Sequence, residues 1–417
     1  MKFLISLAWK NLSRYGRRTV ITAIAIAVGL GLYIFVDSML LGADVETERN
    51  LIWYETSSAK VMDQEYYDEI GFMPLSENIQ NPEEVMEIIE AQGYEAVPRI
   101  QFSGELYVQE DPYPETGSLQ ARITAIDPTQ DDDVYRLQDT VVEGNYLTPG
   151  EPEVMIGAAL AEDLGAQIGY PFTIVTRTQE GAYQTMDLTV VGIVDAPDPV
   201  IDRSGVFIPL EYADYQLYLG GAVTEISILV PAYQNLENVI ADLRSRISQE
   251  FTGLTIVPWQ ELAQDFTAMS EAKSSGSSMI LSLVFIIALV GISNTMLMAV
   301  FERIQEIGMM RAMGMKDSEI RLTFLFEAAG IGFIGSVVGV IFGILLNTWL
   351  IIWGIDFTAL IGDMDIGYRI AGVFYGAWNP GTIITAFFAG IILSAIVAFY
   401  PAHKALKMDI TECLHYQ

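Results

Sequence analysis

The side chains that most often carry out chemistry in proteins are scarce in this 417-residue sequence. It contains two histidines, His403 and His415, and a single cysteine, Cys413, all close to the C-terminus. A histidine-based triad or zinc site therefore cannot form in the long acidic region that precedes them. The sequence also lacks a G-x-x-x-x-G-K-[ST] phosphate loop and a G-x-S-x-G nucleophile elbow. We expect no catalytic residue, no metal site and no cofactor in this chain.

Three consecutive aspartates, Asp131, Asp132 and Asp133, are the best candidates for metal ligands. A calcium loop spaces its oxygen ligands along the chain and includes a glycine at its sharp turn, and this run has neither feature. We therefore expect a solvated turn here. The formal net charge of −31 argues against nucleic acid as a partner.

Four apolar stretches are long enough to cross a bilayer, whose core requires about 20 consecutive apolar residues per helix. They lie at 19–41, 279–301, 322–353 and 382–401. Buried helices of a soluble protein rarely run this far with so little charge. The first stretch could instead be a cleaved signal peptide, but it is longer than the apolar core of such a peptide and lacks a small-residue cleavage site. We expect it to be a retained span.

The charge distribution predicts how these spans are oriented. Residues 1–18 contain five cations and no acid, whereas residues 43–275 contain 42 acidic against 10 basic side chains, a net charge of −32. Because Lys and Arg near span ends favour the cytoplasmic side, we expect both termini and the loop 302–321 to be inside. The predicted fold is a membrane protein with four transmembrane α-helices, N-in and C-in, and a large α+β extracytoplasmic domain between the first and second spans.

The acidic region alternates between helical and strand patterns. Helical periodicity predicts helices at 82–92, 158–164 and 236–251. Alternating or β-branched runs predict strands at 100–108, 121–126, 171–177, 185–194, 206–209, 225–230 and 255–258. From Trp259 the pattern turns helical and predicts an uninterrupted helix into the second span, with a flexible linker at 274–278 as the alternative.

The complete predicted order has nine segments. They are a cytoplasmic amphipathic helix (1–18), transmembrane helix 1 (19–41), the extracytoplasmic α+β domain with a helical stalk (42–278), transmembrane helix 2 (279–301), a cytoplasmic helical loop (302–321), transmembrane helix 3 (322–353), a short outer loop (354–381), transmembrane helix 4 (382–401) and a cytoplasmic tail (402–417).

The loop between the second and third spans has the composition of a docking helix. In the run ERIQEIGMMRAMGMKDSEIR at 302–321, charged side chains form one helical face, and isoleucines and methionines form an adaptable apolar face. Gly308 and Gly314 permit close approach and a turn. Such a helix suits docking in a groove of another protein, but lying on the lipid surface fits equally well.

Small residues recur four positions apart on two of the spans, at Ala23, Ala27 and Gly31 and at Gly335, Gly339 and Gly343. Such repeats let helices approach closely, either within this chain or against a second subunit. Two acids, Asp37 and Glu327, lie near span ends. Because neither is deep in the bilayer, we expect structural roles for them rather than a proton pathway.

These segments together resemble a known family. The run GISNTMLMAVFERIQEIGMMRAMG at 291–314 is similar to the signature of the FtsX-like/MacB-type permeases of ABC transporters, and so is the C-terminal YPAHKA at 400–405. Residues 144–209 resemble the periplasmic core domain of these permeases, and LAWKNLSRYGRRT near the N-terminus also matches. Permeases of the MacB type usually carry an ATPase before the first span, and cell-division FtsX permeases tend to be shorter. This chain looks most like the lipoprotein-releasing LolC/LolE type.

The resemblance implies a non-catalytic, multi-pass subunit of the bacterial inner membrane, with its large domain in the periplasm. Two permeases, identical or homologous, would pair within the membrane lipids and bind two copies of an ABC ATPase, which would hold the ATP and Mg. Motion would pass from the ATPase through the spans and the stalk to the periplasmic domain. The residues of the coupling helix would be Glu302, Arg303, Glu306, Ile307, Gly308, Arg311, Ala312, Met313 and Gly314.

The resemblance also implies a cargo, lipoproteins extracted from the membrane and passed to a periplasmic chaperone. A substrate cavity between the first two spans would be lined by Leu32, Phe35, Met39, Ile280 and Val284, and the loop at 196–199 is a candidate for recruiting the chaperone. The alternatives are a MacB-like export permease for peptides or other amphiphiles and an FtsX-like signalling permease that activates a cell-wall hydrolase.

Overall fold

The computed structural model describes residues 16–108, 118–231, 234–264, 266–268, 301–356 and 373–406, with isolated positions between 279 and 298. The chain divides into two compact units. The helical unit contains residues up to Val45, those from Ser270 to Asp356 and those from Phe374 onwards. The β-rich unit contains residues Glu46–Met269 and Phe357–Val373.

Among the described residues, the elements follow one another in a mixed α/β order. They are α1 (Gly16–Asn50), which continues as a π-helical segment (Leu51–Thr56), β1 (Ala59–Asp63), α2 (Gln64–Asp68), α3 (Pro82–Glu90), β2 (Glu95–Val108), β3 (Leu119–Ile126), β4 (Val141–Gly144), β5 (Glu153–Gly157), α4 (Ala158–Leu164), β6 (Pro171–Arg177), β7 (Tyr183–Val194), α5 (Pro199–Ser204), β8 (Val206–Pro209), α6 (Leu210–Leu217), β9 (Glu225–Leu229), α7 (Leu236–Glu250), β10 (Leu254–Pro258), α8 (Trp259–Leu262), α9 (Ile304–Ala312), α10 (Asp317–Trp353), β11 (Ile355–Asp356), β12 (Val373–Phe374) and α11 (Pro380–Ala405).

Three of the described helices are long and apolar enough to cross a membrane, at Thr19–Thr56, Asp317–Trp353 and Pro380–Lys404. Most of the predicted second span, 279–301, lies outside the described residues, although the positions described within it are helical. Helix α11 begins with a proline at its first position. The Asn379 side chain just before it accepts a hydrogen bond from the Thr382 amide at 3.2 Å. These three helices give the helical unit its core of small and aliphatic side chains.

Six strands of the β-rich unit pair in a closed ring. β2 pairs with β3, β3 with β8, β8 with β5, β5 with β7 and β7 with β6, and β6 returns to the far end of β2. β2 can take part twice because its 14 residues offer different segments to different neighbours. Its first residues pair instead with β9, from which β1 and β10 extend the sheet. Closing the ring pairs backbone N–H and C=O groups that would otherwise be unpaired at an open sheet edge.

Side chains from the strands and from α3 and α7 fill the main core of this unit. The buried positions on α7 recur at helical spacing, as expected for an amphipathic helix that packs on a sheet. They are Val239, Ile240, Leu243 and Ile247. The predicted helices and strands of this region are confirmed, with ends that differ by up to five residues, and α4, β6 and β8 have the predicted bounds.

Two expectations for this unit need correction. The aspartate run is a solvated turn only in part: Asp132 and Asp133 are exposed as expected, but Asp131 is buried in a 3₁₀ turn and pairs with Arg99. The helix from Trp259 is interrupted within the described residues, because the backbone leaves the helical region at Ala263 (φ −106°, ψ 47°), and the alternative linker at 274–278 lies outside the described residues. Burial of Trp259 and Phe266 in one apolar cluster accompanies this break, so local packing overrides the helical pattern.

Candidate coupling site

The segment after residue 301 forms a short helix followed by a sharp turn. Helix α9 begins after Arg303, whose backbone (φ −116°, ψ 16°) is not helical. The helix ends at Ala312, and Gly314, whose φ is 92°, follows as a turn residue. The amide of Met315 then donates to the Met310 carbonyl at 3.1 Å. A glycine in the left-handed region is a common helix terminator because a Cβ atom would be strained there.

One face of α9 is buried against the two long helices that follow it. Ile304, Ile307 and Gly308 are buried on this face. Ile307 packs with Ile320 and Phe324 of α10 and with Ala402 at the end of α11. The short helix is therefore fixed to two predicted spans at once by apolar contacts.

A buried ion pair holds the start of this segment in place. Arg303 Nη1 lies 3.0 Å from Glu327 Oε2, and the two side chains are only 3% and 1% exposed. Desolvation of two charges is costly, so a pair in this position persists only with close, hydrogen-bonded geometry. Across the turn, Arg311 Nε lies 3.1 Å from Asp317 Oδ1. The first contact explains the structural role expected for Glu327.

The opposite face of α9 is open. Met313 and Met309 are 80% and 51% exposed, and Ala312 and Gly314 are also exposed. These four residues are referred to below as the coupling surface. A groove of about 220 Å³ beside them is bounded by Glu306, Arg303 and Thr323, among others. Exposed methionines adapt their shape to a partner at little cost, so this surface suits binding to another protein.

The structure thus divides the nine predicted coupling residues into two groups. Arg303, Ile307 and Gly308 are buried against the chain itself, and Glu306 and Arg311 are half-buried. The exposed members are Glu302, Ala312, Met313 and Gly314. The sequence signature therefore contains both supporting and surface positions, which helical periodicity by itself did not separate.

The structure describes three of the five predicted cavity residues. Leu32 is exposed on α1, and Phe35 and Met39 are half-buried on the same helix. Ile280 and Val284 lie outside the described residues. Asp37, close to this region, accepts a hydrogen bond from Asn379 Nδ2 at 3.1 Å, which ties α1 to the start of α11.

The two stripes of small residues lie against each other. Ala23, Ala27 and Gly31 of α1 are buried, as are the three glycines of α10, Gly335, Gly339 and Gly343. A Cβ atom added at Gly339 would lie 2.9 Å from the Ala27 Cα atom, and one at Gly335 would lie 3.0 Å from the Ala23 carbonyl oxygen. The backbones of α1 and α10 approach this closely only because side chains are absent.

The β-rich unit contributes a buried ion pair and a cavity. Arg99 Nε and Nη2 each donate to Asp131 at 2.8 Å, and the guanidinium lies 3.2 Å from the Tyr135 ring centroid. The Asp131 charge raises the pKa of Arg99 against the opposing effect of burial. Arg99 also lines a cavity of about 860 Å³ in this unit. Among the residues described by the structure, no group of three or more His, Cys, Asp or Glu side chains is arranged to hold a metal ion.

Two family models match most of the chain. The family model for the FtsX-like permease C-terminal region matches residues 278–410. The model for the MacB-like periplasmic core domain matches residues 19–246, which is more than half of the chain.

Several similar proteins are named as transport proteins. The lipoprotein-releasing system transmembrane protein LolC of Neisseria meningitidis serogroup B is 24% identical over 304 residues, covering 70% of this chain and 72% of LolC. The ABC transporter permease YtrF of Bacillus subtilis is 30% identical over 251 residues, covering 58% and 53% of the two chains. The macrolide export ATP-binding/permease protein MacB of Chlorobaculum tepidum is 25% identical over 246 residues, covering 56% and 34%.

Among solved structures, the periplasmic region of MacB from Actinobacillus actinomycetemcomitans aligns with 51% of this chain and 94% of its own length. The TM-score is 0.35 and the identity is 14%. The two family matches confirm the resemblance inferred from the sequence, since together they extend from the first apolar helix to the end of the last one. The chain belongs to the FtsX-like/MacB-type permease family of ABC transporters.

Proposed function

We propose that this protein is the membrane subunit of an ABC transporter that releases lipoproteins from the bacterial inner membrane. A separate ATPase would supply the energy, and the β-rich unit would hand the cargo to a periplasmic chaperone. The observation that carries the coupling part of the proposal is the methionine surface of α9, which is exposed on one side and anchored to α10 and α11 on the other. The relatives named as lipoprotein-releasing LolC proteins support the choice of cargo.

The topology proposed for this function has four spans, with both termini in the cytoplasm and the β-rich unit in the periplasm. The cations of residues 1–18 and the net charge of −32 in residues 43–275 support this orientation. The three described apolar helices and the helical positions within 279–298 are compatible with four spans. In this arrangement the coupling surface faces the cytoplasm, where an ATPase would dock.

The proposed assembly contains two permease chains, alike or homologous, and two ATPase subunits that bind ATP and Mg. A force applied to α9 would reach the spans because Ile307 packs against both Ile320 and Ala402. Close-packed interiors transmit displacement rather than absorbing it. The buried Arg303–Glu327 pair would resist rotation of α9 away from α10.

Substitution of Met313 by glutamate tests the docking step. A charge at the most exposed methionine of the coupling surface would be desolvated on binding, and we expect ATPase retention to fall by about tenfold or more. Co-purification of the native ATPase with the tagged full-length chain measures this. Ser318→Glu is the matched control, since it adds the same charge on an exposed position at the start of α10, where the helix dipole favours an acid. Equal ATPase retention by Met313→Glu and by Ser318→Glu would contradict the docking proposal.

Depletion of the chain in its native host tests the cargo. Outer-membrane lipoproteins should accumulate in the inner membrane, as measured by membrane fractionation after labelling the acyl chains. Normal lipoprotein sorting together with loss of an exported peptide or amphiphile would identify an export permease instead. Normal sorting with a defect in cell-wall cleavage would identify a signalling permease.

A further inference from the structure

The ends of α10 and α11 that lie beside α9 share a group of basic and aromatic side chains. The guanidinium carbon of Arg321 lies 5.2 Å from the Phe399 ring centroid. Phe399 in turn stacks on His403, with ring centroids 6.1 Å apart and planes 12° apart. These three residues are called the basic–aromatic cluster below. The aromatic face holds the guanidinium in a defined position through a cation–π contact.

The charge of this cluster is not neutralised within the part of the chain that the structure describes. Two other arginines near the same end of α10 have carboxylate partners, Arg303 with Glu327 and Arg311 with Asp317. No such ion pair is formed by Arg321, and its Nε atom, like Nδ1 of His403, lacks a hydrogen-bond partner among the described residues. Helix α11 contains no acidic residue from its first position to its last. Among the described residues no carboxylate offsets this charge, so the cluster is suited to an anionic ligand.

An apolar stripe on α11 leads up to the cluster. Ile392, Ile396, Phe399 and His403 recur at helical spacing and lie on one face. The first three side chains are 54%, 60% and 46% exposed. On a helix long and apolar enough to cross a membrane, such an exposed stripe is suited to contact acyl chains. A cation at the end of an acyl-facing stripe lies at the height of the lipid headgroups.

We propose that the basic–aromatic cluster binds the phosphate of an anionic membrane phospholipid, whose acyl chains lie along the Ile392–Phe399 stripe. Arg321 would pair with the phosphate, and Lys404, exposed beside His403, would add to the local positive potential. A free phosphate ion would meet the same cations but would gain nothing from the exposed apolar face. The proposal concerns a resident lipid of the permease and does not depend on which cargo is moved.

The test uses the full-length chain purified with its ATPase in a mild, uncharged detergent. Addition of phosphatidylglycerol should raise its thermal unfolding temperature more than addition of phosphatidylcholine, and phosphatidylglycerol should be enriched among the lipids that co-purify. Loss of one cation near a membrane surface corresponds to about a fivefold weaker association, so Arg321→Gln should require about fivefold more phosphatidylglycerol for half-maximal stabilisation. Arg321→Lys should show a smaller change, since it keeps the charge but loses the planar stacking.

Lys316→Gln is the matched control, because it removes one exposed cation at the same end of α10 but outside the cluster. It should leave the phosphatidylglycerol response unchanged, and an effect equal to that of Arg321→Gln would overturn the proposal in favour of diffuse surface charge. Phe399→Leu keeps an apolar side chain but removes the aromatic ring against Arg321, so it should also weaken the phosphatidylglycerol response. This second variant keeps the proposal testable if Arg321→Gln folds poorly. Inorganic phosphate should not stabilise the protein, and stabilisation equal to that by phosphatidylglycerol would show a free-anion site instead of a lipid site.

Discussion

The buried pair of Arg99 and Asp131 is expected to be a major determinant of the stability of the β-rich unit. Its side chains are 2% and 1% exposed, and two parallel hydrogen bonds of 2.8 Å join them. Asp131→Asn removes the negative charge but leaves the guanidinium buried against the Tyr135 ring. Removal of one partner of a buried pair typically costs about 3–5 kcal/mol, because the remaining charge is left without compensation. We expect a destabilisation in this range.

Hydrogen–deuterium exchange of the purified full-length chain measures this loss directly. Arg99 lies on β2, which pairs with three other strands, so its amides should exchange through opening of the whole unit. A loss of about 3–5 kcal/mol accelerates such exchange by about 10²- to 10⁴-fold. Peptides from β2 and β3 should show this acceleration together, and peptides from α11 in the helical unit should not.

Asp133→Asn is the control for local sequence and net charge, since Asp133 is exposed in the same 3₁₀ turn. Substitutions at such surface positions usually change stability by no more than about 0.5 kcal/mol. The double variant Arg99→Met, Asp131→Leu replaces the ion pair by apolar side chains and should recover most of the stability lost in Asp131→Asn. Equal exchange rates in Asp131→Asn and Asp133→Asn would refute the claim that the pair stabilises the fold.

Two further outcomes are expected. Gly339→Val places atoms within 2.9 Å of the Ala27 backbone, which cannot move aside, so the full-length chain should lose about 1–3 kcal/mol of stability in detergent. Gly16→Ala, which meets nothing within 4 Å, should not change the melting temperature, and a Gly339→Val protein as stable as Gly16→Ala would contradict close packing of α1 on α10. Burial raises the pKa of Tyr66 above its ordinary value of about 10. The neutral, buried Tyr66 therefore stabilises the fold fully below pH 10, and this stabilisation is lost as the pH rises above 10. Tyr66→Phe should therefore move the alkaline unfolding midpoint, followed by circular dichroism, to higher pH, and an unchanged midpoint would mean that Tyr66 is not what limits alkaline stability.

The sequence predicted many local features of the fold because they depend on the order of neighbouring residues. The periodicity of α7 and the limits of α4 follow from amphipathic spacing and from Gly165 after Leu164. The strands β6 and β8 are short β-rich runs between turn residues. In contrast, β1 was not predicted, since its five residues have no clear alternation and its partners β9 and β10 lie more than 150 residues away.

The candidate coupling site was predicted as a segment but not as a surface. The family signature identifies residues 302–314, and the structure separates the buried Ile307 from the exposed Met313. The pairing of Arg303 with Glu327 joins residues 24 positions apart, and no local pattern connects them. The same holds for Arg99 and Asp131, and it explains why Asp131 was wrongly expected to be solvated with its two neighbours.

By itself, the sequence determined that the chain has apolar helices long enough to cross a membrane, an acidic α+β region between the first two, and the signature of a permease family. These features depend on composition and on the spacing of neighbouring residues, which any segment carries with it before folding. Only the tertiary structure decided which strands close the ring, which charges are buried in pairs and which face of α9 remains open. These outcomes depend on contacts between residues distant in the chain, and such contacts form only once the backbone has folded.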